Sequence, residues 1–447
     1  MSLRFGTDGV RGVANSELTV ELVTALGRAA ARVLGTDQPF VVGRDTRRSG
    51  PMLEAALVAG ICAEGADVLL AGVVPTPAVA HLARERAAAA AVISASHNPY
   101  EDNGVKLFSP GGRKIPEPLE ARVEHELAAL AGSMPEPGAS GRGPGVAFEH
   151  RAAFDDYVAY LADSLDGRRL DRMRVIVDCG NGAAFRAAPA ALHALGADVE
   201  VLHASPDGTN INDACGSTHP EDLRDAVVTS GASLGLAFDG DADRVIAVDE
   251  KGELIDGDQM LAIAAIDLHD RGMLQGDAVV ATVMSNFGLQ RALDPYGIEL
   301  VRTPVGDRNV LDELERRDLV LGGEQSGHVI NMLHATTGDG TLTGLLLADV
   351  MARRNRNLSE LAAVMARVPQ VHRNVPMADP DRLNADQAFW SRVREVDADL
   401  GDDGRVLVRL SGTEPVVRVM VESTDLEAAE EAADRLVALV EHVAGRS

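Results

Sequence analysis

The hydrophobic and polar residues of this chain follow one pattern three times. Each copy has an apolar strand, a helical stretch, a second strand after a glycine, another helical stretch and a third apolar strand. The strands are residues 40–43, 65–68 and 91–93 in the first copy, 175–178, 196–199 and 234–238 in the second, and 278–281, 297–300 and 319–321 in the third. Alternating strands and helices form mainly parallel sheets, and fully apolar strands are typical of sheets covered on both faces. The pattern therefore predicts three similar α/β domains with mainly parallel, mixed sheets.

The last segment of the chain has a different pattern. Strands at 405–410 and 416–422 precede a helical period over 426–443, which predicts a smaller C-terminal α+β domain. Residues 132–145 are rich in Gly, Pro and Ser and predict a linker. We therefore expect four domains, comprising residues 1–150, 151–252, 253–367 and 368–447.

A polar motif follows the third strand of every copy. The motifs are Ser94–Pro99, Asp239–Arg244 and Gly323–His328. Since ligands of open α/β sheets bind beyond the carboxyl ends of the strands, we expect the three motifs to converge on one central cleft. An array of independent repeats is the alternative. It is disfavoured because repeats that were merely duplicated would carry one motif, whereas these three differ chemically.

Composition places the chain among globular proteins and excludes several partners. Of 447 residues, 46% are apolar and 25% charged, and no segment predicts a signal peptide or a membrane span, so we expect a cytoplasmic protein. The net charge of −26 would repel nucleic acid and anionic membranes. Three widely spaced cysteines without a CxxC pair predict neither a disulfide framework nor a thiolate zinc site. The sequence allows a homodimer without requiring one.

Three aspartates alternate in the second motif, directly after an apolar strand. Asp239, Asp241 and Asp243 would repel one another unless a cation lies between them, and Mg²⁺ prefers carboxylate and phosphate oxygens. An EF-hand is disfavoured because Arg244 stands where that loop needs glycine, and because a strand rather than a helix precedes it. A solvated acidic turn and an aspartate nucleophile of the haloacid-dehalogenase type remain open alternatives.

Ser96 lies in the first motif, in a turn of small residues that ends at Pro99. We expect an exposed hydroxyl there, with backbone N–H groups and the side chains of His97 and Asn98 available to an anion. The motif is not the GxSxG of esterases, and an ordinary turn without chemistry is the alternative. A hydroxyl beside a metal site suits phosphoryl transfer better than acyl transfer.

A phosphate clamp is predicted near the C-terminus. Ser411, Gly412 and Thr413 supply two hydroxyls and a backbone that a ligand can approach closely, and Arg418 supplies a guanidinium fork that matches phosphate oxygens. A hairpin turn with surface polar residues is the alternative.

Other polar residues accompany these motifs. Glu324, Ser326 and His328 offer an acceptor, a hydroxyl and a titratable ring that suit sugar hydroxyls. Lys106, one of only three lysines, follows soon after the serine turn. The glycine-rich opening, residues 6–12, carries Arg11 but lacks the P-loop pattern, so nucleotide binding is not indicated.

Taken together, the motifs resemble the α-D-phosphohexomutase family along essentially the whole chain. The segments that carry the resemblance are Phe5–Gly12, Ile93–Pro99, Val305–Val310, Gly323–His328 and Ser411–Val421. They are most similar to those of bacterial members that interconvert glucosamine 6-phosphate and glucosamine 1-phosphate. The resemblance implies four domains around a central cleft, a phosphosugar substrate, and a sugar bisphosphate as primer and intermediate.

The resemblance also implies roles for individual residues. Ser96 would carry the transferred phosphate and, with Asp239, Asp241 and Asp243, would hold one Mg²⁺ ion. The implied substrate-binding residues are Asp307, Arg308, Glu324, Ser326, Ser411, Gly412, Thr413 and Arg418. Acid/base or phosphate roles are implied for Arg11, His97, Lys106 and His328. A segment near Val368–Arg373 would act as a hinge that lets the cleft close.

One residue departs from the family pattern. Ala242 stands in the metal loop where the family commonly has glycine, but all three carboxylates are kept, so we expect an intact site. An alanine would be strained there only if the backbone has positive φ. Three rival functions remain: a phosphoglucomutase or phosphomannomutase with the same mechanism, a Mg²⁺-dependent sugar phosphatase, and a sugar-phosphate sensor without catalysis.

Overall fold

The computed structural model describes residues 6, 9–131, 143–384, 386–410 and 415–445. The chain forms two compact units, one of Met1–Thr282 with Val301–Ala363 and the other of Val283–Leu300 with Val364–Ser447. Most of the predicted linker, residues 132–142, lies outside the described residues.

The first α/β segment has a seven-stranded mixed sheet, with strand order β1-β5-β4-β2-β3-β7 and β6 paired to β5. Its core packs residues of α1, α2 and α4 against the sheet. The elements are β1 Val10–Val13, α1 Val20–Leu34, β2 Phe40–Arg44, α2 Gly50–Ala63, β3 Val68–Val73, α3 Thr76–Glu85, β4 Ala90–Ile93, β5 Asp102–Ser109, β6 Arg113–Lys114, α4 Glu117–Ala131 and β7 Ala147–Glu149.

The second α/β segment has a five-stranded sheet in the order β12-β11-β10-β8-β9. The elements are α5 Ala153–Asp163, β8 Arg174–Asp178, α6 Ala184–Ala194, β9 Asp198–Leu202, α7 Glu221–Ser230, β10 Leu234–Phe238, β11 Val245–Asp249 and β12 Leu254–Ile255.

The third α/β segment has a four-stranded sheet in the order β14-β13-β15-β16. The elements are α8 Gly257–Asp270, β13 Ala278–Thr282, α9 Phe287–Leu293, β14 Glu299–Thr303, α10 Asp307–Arg317, β15 Leu321–Gly323, β16 Val329–Asn331, α11 Gly340–Arg354 and α12 Leu358–Ala362.

The three sheets share one strand order, which confirms the repeat seen in the sequence. In each, the first strand of the copy lies between the second and the third, as in β4-β2-β3 and β10-β8-β9. An antiparallel strand then follows the third strand, namely β5, β11 and β16. Each polar motif is the connection between these two strands, so the chain turns sharply at each motif.

The third strand of the last copy begins two residues later than the sequence pattern predicts. Leu319 lies just beyond the end of α10, in the turn that closes this helix: its N–H donates to the carbonyl of Leu314, and Asp318 has a left-handed backbone with φ of 56°. An apolar run cannot by itself distinguish the buried end of a helix from the start of a strand, because both are apolar.

The C-terminal segment is an α+β unit, as predicted. It has an antiparallel sheet in the order β17-β19-β18, and buried side chains of α13 and α14 pack against it. The elements are β17 Gln370–Pro376, α13 Gln387–Leu400, β18 Gly404–Leu410, β19 Val416–Ser423 and α14 Leu426–Ala444.

The predicted hinge falls on ordered backbone in this unit. The amide of Asn286 binds both the carbonyl and the N–H of Val368 at 2.9 Å. Gln370–Pro376 is a strand paired with β19. Ladder and side-chain hydrogen bonds thus order this backbone within the second unit, and the hinge near 368–373 stays a prediction.

Among the residues that the structure describes, none of the helices combines the length and the apolar character needed to cross a bilayer.

Candidate active site

Ser96 lies just beyond the carboxyl end of β4 in a strained turn. Its backbone is left-handed, with φ of 54°, and its N–H donates to Ser94 Oγ at 2.9 Å. The Ser96 hydroxyl donates to Asp239 Oδ2 at 2.6 Å. Contrary to the sequence prediction the side chain is buried, because the loop that carries Asp239 covers it. A non-glycine residue with positive φ is costly and persists where surrounding contacts hold it.

A buried arginine, Arg47, donates hydrogen bonds to the backbone of the turn that carries Ser96. The guanidinium of Arg47 donates to the carbonyls of Ser96 and Asn98, each at 2.8 Å, to the carbonyl of Asp102 at 3.0 Å, and to the carbonyl of Pro99. Its remaining N–H, on Nε, donates to Asp45 Oδ2 at 2.9 Å. Four of the five donors of this guanidinium thus bind four carbonyls of one turn, and the fifth binds Asp45.

Asp45 in turn links the arginine to the serine turn. It accepts a hydrogen bond of 2.6 Å from the Ser94 hydroxyl. Burial raises the pKa of Asp45, and the neighbouring Arg47 guanidinium opposes that rise. The pair therefore anchors the turn through charge as well as through hydrogen bonds.

The three aspartates of the metal loop lie between β10 and β11. All three side chains are buried, and one oxygen from each lies within 4.8 Å of the others. Lys106 Nζ from β5 lies 2.8 Å from Asp241 Oδ2 and 3.0 Å from Asp243 Oδ2. Ser96 and the lysine thus meet the same carboxylate cluster from two strands of the first sheet.

The electrostatics of this cluster fit a divalent cation. Burial, together with the carboxylates of Asp243 and Asp241, raises the pKa of Asp239 well above its usual range. Asp241 Oδ1 is buried and makes no hydrogen bond to any residue that the structure describes. A hard cation would be bound by such oxygens and would remove the repulsion between them. The donor set therefore fits the Mg²⁺ ion that the resemblance implies.

Ala242 has the backbone conformation that the sequence comparison singled out. Its φ is 57°, and its buried carbonyl accepts a hydrogen bond of 3.0 Å from the N–H of Gly340 at the start of α11. The three carboxylates nevertheless stay together, so the replacement of glycine does not break the loop.

His97, Arg244 and Arg11 lie close to one another beside the turn that carries Ser96. His97 Nδ1 lies 3.4 Å from Ser96 Oγ and 3.4 Å from an Arg244 terminal nitrogen. Arg11 donates to Asn98 Oδ1 at 3.3 Å. Partial burial, followed by the charges of Arg244 and Arg11, lowers the pKa of His97. A phosphate on Ser96 would therefore meet positive charge on this side.

The third motif forms a loop between β15 and β16. Glu324 Oε1 accepts a hydrogen bond of 3.1 Å from the Gly306 N–H, whereas Ser326 is exposed. His328 is only 2% exposed, and among the described residues neither of its ring nitrogens makes a hydrogen bond. The loop thus offers polar atoms that a ligand could use.

Asp307 and Arg308 make ion pairs with the first α/β segment. Asp307 Oδ2 pairs with Lys114 and lies 3.6 Å from His328 Nε2. Arg308 binds both carboxylate oxygens of Glu120, one of them at 2.9 Å. Lys114, Asp307 and Arg308 line a cavity of about 220 Å³. A larger cavity of about 300 Å³ contains none of the predicted site residues.

The predicted phosphate clamp is described only in part. Ser411, Gly412 and Thr413 lie outside the described residues. Arg418 lies on β19 directly opposite Arg409 of β18. Burial and the charge of Arg418 lower the pKa of Arg409. Like charges opposite each other destabilise a sheet, so this pair favours a bound anion.

Sequence reasoning missed several residues that hold the site together. Asp45 and Arg47 follow β2, so the rule that ligands bind beyond strand ends could have found them. Thr76 donates to Asp241 Oδ2 at 2.6 Å, and Asn212 donates to the Ser96 carbonyl at 2.9 Å. Arg409 could have been found from the register of the β18–β19 hairpin. No sequence signal indicates Thr76 or Asn212, since their partners are remote in the chain.

A buried hydroxyl beside three carboxylates, a lysine and flanking arginines defines an enzyme of metal-assisted phosphoryl transfer. Comparison with known families agrees. Domains I, II and III and the C-terminal domain of phosphoglucomutase/phosphomannomutase match residues 2–132, 155–252, 256–368 and 373–439. The chain belongs to this family, the α-D-phosphohexomutases, and is an isomerase that transfers a phosphoryl group. This confirms the resemblance inferred from the sequence.

Individual relatives match the chain along nearly its whole length. A phosphoglucosamine mutase of Moorella thermoacetica is 54% identical, covering 96% of both chains. One from Streptomyces griseus is 51% identical, covering 100% of both chains. Among solved structures, a phosphoglucomutase/phosphomannomutase family protein of Burkholderia thailandensis superposes with a TM-score of 0.83 at 28% identity, covering 99% of this chain and 98% of that one.

Proposed function

We propose that this enzyme interconverts glucosamine 6-phosphate and glucosamine 1-phosphate through a phosphate carried on Ser96. The observation that carries the proposal is the hydrogen bond of 2.6 Å between the Ser96 hydroxyl and the buried aspartate cluster. It is supported by two relatives named phosphoglucosamine mutase, which are 51% and 54% identical over 96–100% of their length. A sugar phosphate of central metabolism as substrate would place the enzyme in the cytoplasm.

One Mg²⁺ ion per chain would be held by Asp239, Asp241, Asp243 and the phosphate on Ser96. When bound, the ion would supply a positive charge that offsets the charge of the phosphoryl group in transfer. Lys106 contacts two of these carboxylates, and Arg11, His97 and Arg244 lie on the other side of Ser96. These cationic and polar groups would hold the transferring oxygens in place.

The substrate would be bound by residues of two further loops. Glu324 and Ser326 would bind sugar hydroxyls, and His328 would face them with a ring that makes no hydrogen bond to a described residue. Ser411, Gly412, Thr413 and Arg418 would bind the phosphate that is not reacting, and we add Arg409 to this set. Asp307 and Arg308 would contribute if their ion pairs with Lys114 and Glu120 open on binding.

The reaction would proceed in two transfers. The bond between phosphorus and Ser96 Oγ breaks as a hydroxyl oxygen of the sugar bonds to phosphorus, and the hydroxyl proton passes to a base of the site. The product, glucosamine 1,6-bisphosphate, would then reorient. The bond between its other phosphorus and the sugar oxygen breaks as Ser96 Oγ bonds to that phosphorus, and the base returns the proton to the sugar oxygen. The same bisphosphate would prime an enzyme that has lost its phosphate. The buried position of Ser96 would keep water from the phosphoserine.

Phosphorus NMR would test this proposal. With Mg²⁺ and a trace of the matching bisphosphate, we expect the fastest isomerisation for glucosamine 6-phosphate, compared with glucose 1-phosphate and mannose 1-phosphate. Faster turnover of a neutral hexose would assign the enzyme to a sibling mutase. Release of inorganic phosphate alone would refute mutase activity.

A serine variant would test the phosphate carrier. We expect Ser96→Ala to abolish turnover and phosphate incorporation while the circular dichroism spectrum stays unchanged. Ser164→Ala is a matched control, because Ser164 is also buried but donates only to the carbonyl of Leu161, at 2.7 Å. Turnover by Ser96→Ala would refute the assignment.

A further inference from the structure

A second cluster of metal-ligating side chains lies in the second α/β segment. Asp178 ends β8, His203 follows β9, and Cys215 precedes α7. The carboxylate, imidazole and thiol donor atoms all lie within 4.8 Å of one another. Asp178 and Cys215 are buried, and the ring of His203 is partly exposed. The cluster combines three donor types, unlike the all-carboxylate cluster beside Ser96.

The position of the histidine ring is compatible with metal coordination. Its Nδ1 atom is buried and lies 3.1 Å from Asp178 Oδ1, yet it makes no hydrogen bond to any described residue, because the two groups are not aligned for one. Ligand atoms that share a tetrahedral zinc ion, with bonds of about 2.0–2.3 Å, lie roughly 3.3–3.7 Å apart. The short, misaligned contact is close to this spacing.

The surroundings of the cluster supply the outer contacts that metal ligands need. Asp178 Oδ1 and Oδ2 each accept a backbone hydrogen bond of 2.9 Å, from Gly180 and Gly216. The other ring nitrogen, His203 Nε2, lies 3.3 Å from Asp222 Oδ2. A carboxylate on the far nitrogen of a ligating histidine orients the ring and leaves the near nitrogen for the metal.

We propose that Asp178, His203 and Cys215 form a zinc site with three protein ligands. Thiolate, imidazole and carboxylate are the ligands that Zn²⁺ prefers, whereas Mg²⁺ takes oxygen ligands alone. On binding, the bond from sulfur to its proton is replaced by a bond from sulfur to zinc, and the proton leaves to solvent. The partly exposed histidine leaves room for water as the fourth ligand.

This site was not visible in the sequence. The absence of a CxxC pair argued against a thiolate zinc site, because that rule detects only ligands close together in the chain. The three ligands come from two loops: Asp178 ends β8, and His203 and Cys215 lie at the two ends of the loop that follows β9. The parallel pairing of β8 with β9 brings these loops together.

A zinc ion at this site would also restrain the turn that carries Ser96. Asn212 lies between His203 and Cys215 and donates to the carbonyls of Ser96 and Asn98, at 2.9 and 3.1 Å. An ion that ties both ends of this segment would hold Asn212 against the turn. The zinc ion would therefore not contact the proposed substrate. It would support the turn that carries Ser96, the proposed phosphate carrier.

Cobalt substitution would test the proposal on the full chain. After removal of bound metals and with excess Mg²⁺ present, titration with Co²⁺ should produce a near-ultraviolet thiolate-to-cobalt absorption band at one ion per chain. The band should disappear on addition of Zn²⁺, which binds more tightly. Zn²⁺ should also raise the midpoint of thermal unfolding.

Matched variants identify the ligands. Cys215→Ser should lose both the band and the zinc-dependent rise in the midpoint. Cys179→Ser should keep them, since Cys179 is equally buried but lies outside the cluster. Should Cys215→Ser fail to fold, His203→Asn provides the test, because asparagine tolerates the φ of 46° at this position. We expect it to weaken Co²⁺ binding at least tenfold.

Two outcomes would overturn the proposal. The wild-type protein could show no thiolate band, which would mean that Asp178, His203 and Cys215 lie together without holding a metal ion. Alternatively, the band could persist in Cys215→Ser or in His203→Asn, which would place the cobalt elsewhere.

Discussion

Ala242 shows that a residue other than glycine can adopt a positive φ in the metal loop. A non-glycine residue at φ of 57° costs about 1–2 kcal/mol relative to the right-handed region. Two effects oppose this cost: alanine restricts the unfolded chain by roughly 0.4–1 kcal/mol relative to glycine, and its buried methyl contributes about 0.8 kcal/mol. These contributions to the free energy of unfolding nearly cancel. Alanine is therefore tolerated at this position, and the loop keeps its three carboxylates together.

The balance at this position can be tested with two substitutions. We expect Ala242→Gly to change the free energy of unfolding by less than about 1 kcal/mol, since strain relief is offset by entropy and lost burial. Ala242→Val should destabilise by about 3 kcal/mol or more, because a β-branched residue is an outlier at positive φ and no space surrounds this buried site. Urea denaturation measures both. Equal effects of the two variants would contradict the assigned backbone conformation.

Arg47 has a different role, since it acts on Ser96 through backbone carbonyls. Arg47→Lys would replace the five-donor fork by one ammonium and leave several carbonyls of the turn without a donor. We expect kcat to fall by about 10–100-fold with KM little changed, because the phosphate carrier is displaced while the sugar contacts remain. Steady-state kinetics well below the unfolding temperature measures this.

A second buried arginine provides the control for that experiment. Arg28 pairs with Glu64 at 2.6 Å within the first segment, away from the serine turn. Arg28→Lys should lower the unfolding temperature as Arg47→Lys does, but leave kcat unchanged. If both variants lost kcat equally, the effect of Arg47 would be one of general stability only.

At the scale of elements, the start of α11 links two parts of the site. Asp339 caps this helix by accepting from the Leu342 N–H at 2.9 Å, and it also accepts from the Tyr157 hydroxyl at 2.9 Å. The next residue, Gly340, donates to the carbonyl of Ala242 in the metal loop. Burial raises the pKa of Asp339 to about 7. The cap is therefore a carboxyl group that ionises near neutral pH.

This raised pKa predicts a pH dependence of stability. A carboxyl with a pKa of about 7 in the folded chain and about 3.9 when unfolded stabilises the folded chain fully only below about pH 4. That contribution is lost as the pH rises through 7. Between pH 5 and pH 8 the free energy of unfolding of the wild type should fall by about 2–3 kcal/mol. The Asp339→Asn variant should not show this fall, since asparagine caps the helix without ionising. Urea denaturation at both pH values measures the difference.

Asp267 serves as the control, because its pKa is shifted in the opposite direction to that of Asp339. Hydrogen bonds and charge from Arg353 and Arg354 outweigh its burial and lower its pKa, so its contribution is present above about pH 4. Asp267→Asn should destabilise similarly at pH 5 and pH 8. An equal response of Asp339→Asn at both pH values would show that Asp339 does not titrate in this range.

At the scale of the whole molecule, the net charge of −26 is the dominant feature. Like charges over a compact surface repel, and salt screens them over a Debye length of about 10 Å at 0.1 M. We expect the unfolding temperature to rise by about 2–4 °C between 0.02 and 0.5 M NaCl. KCl should give the same rise, since screening depends on ionic strength. A fall with salt would mean that local ion pairs, such as Arg353–Asp267, outweigh the net repulsion.

The organisation into domains also belongs to the scale of the whole molecule. The three related sheets and the C-terminal α+β sheet appear as the sequence pattern predicted. The three boundaries at residues 150, 252 and 367 remain predictions, because the compact units of the structure group the segments differently.

The sequence by itself determined the order of strands and helices, the positions of the three polar motifs and the identity of the aspartate cluster. These follow from local chemistry, since apolar runs form buried strands and alternating carboxylates after a strand need a cation. Only the tertiary structure decided that Arg47 fixes the serine turn, that Lys114 and Glu120 bind Asp307 and Arg308, and that Asp178, His203 and Cys215 meet. Each of these depends on side chains remote in sequence, and their distances are set by how strands pair and loops pack rather than by any local pattern.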